Sequence, residues 1–95
     1  MKHQKSKLAA PLVWIEWEDS GQAIPQWQWL DKLKVELPIK CISVGFLVRD
    51  DDKVKAVAIS IGDGNNLETA QVSGVIAIPS KCVTRLTHIS IPTKR

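Results

Sequence analysis

Tyrosine is absent from this 95-residue chain, which has one phenylalanine, one methionine and two cysteines. Without tyrosine, the aromatic-lined groove that reads proline-rich peptides is not expected. Cys41 and Cys82 are too few for a disulfide scaffold, and no CxxC or Cys/His spacing points to zinc. Each lies at the edge of an apolar run and reads as a small buried hydrophobe. No apolar run approaches the length of a membrane span, and none reads as an export signal ahead of a small-residue cleavage site. The expected location is therefore the cytoplasm, with no membrane partner. The chain also lacks a Ser/His/Asp or Cys/His arrangement, a phosphate loop, a paired-carboxylate motif and metal-ligand spacing. Asp63, Asn65 and Glu68 in the loop Gly62 to Gln71 do not match a calcium-loop pattern, and His88 has no carboxylate near it in sequence. No enzyme and no cofactor are expected.

The formal charge of +3 hints at nucleic acid until it is placed along the chain. Lys2, Lys5, Lys7, Lys94 and Arg95 sit in the two tails, and the body from Pro11 to Pro92 carries eight basic against ten acidic residues. The body is thus weakly acidic. The tail lysines and arginine are the candidate phosphate contacts, non-specific and salt-sensitive, and also serve as solubilising ends. Residues 1–10 read as a basic flexible arm, 11–92 as one small domain and 93–95 as a basic tail.

Strand patterning fills the body. Leu12 to Glu18 alternates, with Val13, Ile15 and Trp17 pointing one way and Trp14, Glu16 and Glu18 the other. Ile42, Val44, Phe46 and Val48 alternate with Ser43, Gly45 and Leu47, so the four large side chains are expected to face the core, with Gly45 marking a bend. Asp50 to Lys53 supplies a polar turn into a second strand, Val54 to Ile61, and the two form a hairpin. Further strands are expected at 74–78 and 83–91, joined through Pro79, Ser80, Lys81 and Cys82 by a single 3₁₀ step. Between the first two strands, Asp19 to Pro38 is a long excursion in which Trp27 to Leu33 has room for one or two helical turns. So short a segment is stable only if its tryptophans pack on the sheet. Exposed instead, Trp14, Trp27 and Trp29 make a contact surface, because indoles supply large area at low entropic cost.

Five short antiparallel strands and one short helical insert after the first define an all-β fold, read here as a small barrel. The long first loop, the second strand bent at Gly45 and the 3₁₀ step from Ile78 to Val83 resemble the Src-homology barrel and the related Sm-like fold. Trp14 to Ser20, the pair Trp27 and Trp29, and the run Cys41 to Gly45 resemble small proteins of tailed bacteriophages and prophages, over roughly residues 12 to 90. This resemblance implies a homo-oligomeric Sm-like barrel acting in the host cytoplasm and holding RNA, single-stranded DNA or a small nucleotide. Gly45 and Phe46 match the first Sm motif, whereas its asparagine is missing around Asp51 to Lys53 and the arginine-glycine pair is missing at Pro79 and Ser80.

Oligomerisation has a second source. Val54 to Ile61 is apolar on both sides, with Val57, Ile59 and Ile61 on one and Val54, Ala56 and Ala58 on the other, and one small barrel has only one inside. The competing function is a protein-interaction module that binds and modifies or inhibits a host factor, or a small virion connector.

Overall fold

A computed structural model describes residues 8–92 of the chain. Its strands are β1 (Leu12–Asp19), β2 (Ile39–Asp50), β3 (Val54–Gly62), β4 (Gln71–Pro79) and β5 (Val83–His88), with 3₁₀ turns at Leu30–Lys32 and Ser80–Cys82. All five strands are antiparallel in one sheet of order β4-β3-β2-β1-β5. The expected strands and the 3₁₀ step before β5 are present, although β4 begins earlier than expected, at Gln71, and β5 stops at His88, short of residue 91.

The expected closed barrel is not. Strands β4 and β5 are the two edges of the sheet and do not pair with each other. The reason lies in the join between them: a 3₁₀ turn carries the chain from one edge to the other, where a hairpin would have placed the strands side by side. From Pro79 to Val83 the chain reaches at most about 14 Å, at no more than ~3.6 Å per residue, so those strand ends lie near each other. The sheet is curled but unlaced. The turn is anchored, since the Ser80 N–H donates to the Lys53 carbonyl (3.0 Å) and its hydroxyl to the Asp51 carbonyl (2.6 Å).

The curl is set within β2. Its first half, Ile39 to Phe46, pairs with β1 in register from Asp19 opposite Ile39 to Leu12 opposite Phe46. Pairing with β3 begins only at Phe46 opposite Ala58, then shifts register between Leu47 and Arg49. Gly45 sits at the parting, where an added Cβ would lie 2.5 Å from the Ala58 carbonyl oxygen. Backbone approaches that closely only where no side chain stands between.

The same bend corrects the face assignment on β2. Val13, Ile15, Leu47, Val57 and Ile78 form the buried core, with Trp17, Cys82, Val83 and Leu86 packed against it. Opposite β1, the residues on that face are Cys41, Ser43 and Gly45, so the larger set of apolar residues points the other way. Ile42 is 59% exposed, Val44 52% exposed, and Val48 is exposed as well. The alternation marks a strand, as expected, but its bulkier face points outward, and the inside is the face lacking bulk where β3 closes in.

Candidate functional site

Every residue from Asp19 to Lys40 is exposed. The loop leaves β1 at Asp19 and rejoins β2 at Ile39, which face each other across the ladder, so it is an insertion at a hairpin end. Its one ordered turn, Leu30–Lys32, is held by the Lys32 N–H donating to the Trp29 carbonyl (3.1 Å) and the Leu33 N–H to the Leu30 carbonyl (3.4 Å). The turn buries nothing. Trp27 is 102% exposed and Trp29 79% exposed, and Leu30, Val35 and Leu37 stand almost as free. The expectation that these tryptophans pack on the sheet is overturned, and the expected one or two helical turns shrink to a single 3₁₀ turn. Asp31 and Glu36 offset Lys32 and Lys34, so the loop from 20 to 38 is neutral overall.

Trp14 lies elsewhere, on the outward face of β1, where its Nε1–H donates to Glu16 Oε2 (2.8 Å). With Glu16, Arg85, Thr87 and Ile89 it lines a shallow groove. Because Trp27 is fully exposed, nothing packs on it, and the three tryptophans do not form one cluster. Lys2, Lys5, Lys7, Lys94 and Arg95 lie outside the described residues. At the foot of the loop, Glu16, Glu18 and Lys40 share a groove with Trp17, Cys41, Ile42 and Thr84, an acidic neighbourhood with a single cation. Trp17 belongs to the frame: its Nε1–H donates to the Ser43 hydroxyl (3.1 Å) and its ring packs on the core.

No protein-family model, curated protein or solved structure matches this chain. The residues themselves therefore carry the functional reading.

A second apolar surface was not singled out from the sequence as a site. Among the described residues, β2 up to Gly45 pairs only with β1 and β3 beyond Ala58 only with β4, so a wedge opens between them. Ser43, Val44, Val57, Ile59, Gly74 and Ile76 line it. Gly74 has φ +68°, and an added Cβ there would lie 2.7 Å from Ile59 Cδ1, so the isoleucine crosses β4 where the glycine leaves room. The two-sided apolar character of Val54 to Ile61 was the available signal. It could not say which side would stay open.

The remaining chemistry is structural. Asp51 Oδ1 accepts the N–H groups of Lys53 (2.9 Å) and Val54 (2.8 Å), while Oδ2 accepts from Arg49 Nε (2.7 Å). The Arg49 hydrogen bond, then the two backbone N–H groups, lower the Asp51 carboxyl from 3.8 to about 2. Asp50 pairs with Lys55 alongside. Cys41 and Cys82 are free and half-buried, less enclosed than the sequence suggested. His88 is exposed. Among the described residues no group of three or more His, Cys, Asp or Glu side chains is placed to hold a metal ion, and no helix is long and apolar enough to cross a membrane.

Proposed function

We propose that this chain is a non-enzymatic docking module whose curled sheet presents the loop 20–38 to the surface of another protein. The exposure of Trp27 and Trp29 carries this reading. Ordering so many apolar side chains in water is unfavourable unless a partner covers them, and indoles are the commonest anchors of protein interfaces. The neutral loop and acidic foot favour a protein over nucleic acid, which needs a cationic track for its phosphates. A protein partner therefore comes before the nucleic acid that the fold resemblance implies.

The long first loop, the parting at Gly45 and the 3₁₀ step Ser80–Cys82 support the finer assignment to the Sm-like or Src-homology-like type. A tailed-phage origin and action in the host cytoplasm, on a host factor or as a virion connector, fit that assignment. The second reading is a base-stacking site for RNA, single-stranded DNA or a nucleotide, favoured by two free indoles one residue apart.

One experiment separates them. Tagged wild type and the Trp27→Ser/Trp29→Ser variant are tested for retention of a protein partner, and for anisotropy of labelled single-stranded DNA and RNA oligomers. Partner retention lost in the variant, with flat anisotropy, supports docking. Salt-sensitive oligomer binding that the variant loses would replace it with the stacking site.

A further inference from the structure

Two unfinished apolar surfaces lie on this one chain. The loop is the first. With aromatic side chains covering about 150–250 Å² each and aliphatic ones somewhat less, the exposed parts of Ile24, Trp27, Trp29, Leu30, Val35 and Leu37 come to roughly 900 Å². That matches the roughly 800 Å² that each partner buries in a standard stable interface. The wedge between β2 and β3 is the second, with Val44, Ile59 and Ile76 all exposed on its walls.

The two are complementary in form as well as in polarity. Leu33, Val35 and Leu37 alternate with Lys34 and Glu36, and Leu33 is already extended at φ −65° and ψ 131°. The alternation is that of a strand, and the segment has no ladder of its own. The wedge offers the converse: among the described residues, β2 over 41–45 and β3 over 59–62 each have a ladder on one side only. An extended segment entering there finds main-chain partners on a strand edge and apolar side chains for its alternate residues, the usual means by which a peptide adds to a sheet.

We propose that the occupant of the wedge is the loop of a second copy of this chain, exchanged reciprocally about a two-fold axis. This deepens the docking reading and rests on it, naming the partner. A different protein seated on the loop would leave the wedge walls in water. Reciprocal exchange covers both surfaces at once in each copy, and a neutral loop meets no charge barrier on a surface of its own kind.

Light scattering on a sizing column is the test, run as a micromolar concentration series. Wild type is expected at twice the chain mass. Replacing residues 20–38 by Asn-Gly joins Asp19 to Ile39 through a two-residue hairpin and is expected to yield a folded monomer. Ile59→Lys, on a side chain already in water, is expected to do the same while thermal unfolding stays cooperative. Trp27→Ser/Trp29→Ser is expected to raise the dimer dissociation constant at least ~30-fold, the level of an interface anchor. Mixing the short-loop protein with Ile59→Lys restores one of the two exchanges, so the mixture is expected to associate where neither does alone. A short-loop protein that remains dimeric overturns the proposal. A monomeric wild type whose loop tryptophans still govern capture of another protein overturns self-exchange and leaves docking standing. A monomer in which neither tryptophan affects any capture overturns both.

Discussion

Gly45→Ala isolates the contact on which the curl of the sheet depends. The new Cβ would lie 2.5 Å from the Ala58 carbonyl oxygen and 3.2 Å from its carbon. Neither can yield as a side-chain tip would, because Ala58 is laddered to Phe46 on one side and Val75 on the other. Two effects oppose each other. Alanine restricts the unfolded chain and on that account stabilises by about 0.4–1 kcal/mol. Forcing a methyl group into packed surroundings costs about 1–3 kcal/mol. The clash wins, for a net loss of about 1–2 kcal/mol, which in a domain this size lowers Tm by roughly 4–16 °C at about 4–8 °C per kcal/mol. Thermal and urea unfolding followed by circular dichroism measure it directly. Gly21→Ala is the control, since nothing lies within 4 Å of that Cβ and Tm should hold or rise slightly. A Gly45→Ala protein as stable as wild type would show that β2 and β3 do not meet this closely.

Ile78, 1% exposed in the core, is expected to lose about 2–5 kcal/mol on truncation to alanine, read from the urea midpoint. Asp51 has a folded pKa of about 2, below its ordinary 3.8, so its stabilisation is complete above about pH 4 and disappears as pH falls toward 2. The difference in Tm between wild type and Asp51→Ala should therefore be largest near neutrality and close as the acid range is crossed; a gap independent of pH would remove the carboxylate from the account. Gly74→Ala meets both a positive φ and the Ile59 side chain, and should lower Tm more than Gly21→Ala does. Trp17→Phe loses the hydrogen bond to Ser43, at about 0.5–1.5 kcal/mol, and should shift the emission maximum to longer wavelength, since the indoles that remain are the more exposed ones.

Alternation in Leu12 to Glu18 was enough to place β1 and to put Val13, Ile15 and Trp17 inward, because one face of that strand is plainly polar. On β2 both faces are largely apolar, and there the pattern defined a strand without orienting it. What decides the orientation is the approach of Ala58 to Gly45, a contact between positions 13 residues apart that periodicity cannot contain. The 3₁₀ step was legible from Pro79 and Ser80. Whether the strands on either side of it closed a barrel depended on lateral pairing, which leaves no local mark. At the candidate site, Trp27 and Trp29 were visible as residues of interest, and their exposure was not: an indole in a short segment reads the same whether it packs at home or waits for a partner. The wedge had the weakest trace of all, being defined by ladders that stop.

The pairing of β1 with β5 has a consequence for how the chain reaches this structure. Val13 lies opposite His88, and the Ile89 N–H donates to the Leu12 carbonyl (2.9 Å), so the first strand waits for the last before its second edge is covered. On a ribosome, β1 to β4 emerge and can ladder in sequence while Leu86 is still missing from the core. Such an incomplete sheet exposes the β1 edge for as long as synthesis of β5 takes, and non-local pairings of this kind are the slow ones to form. Because Leu12 and Ile89 end up bonded neighbours, a short linker can join them, with the chain reopened inside the loop at 20–38. In that permuted order β5 and β1 would be made consecutively as a hairpin, and the long-range closure would pass to the pairing of β1 with β2.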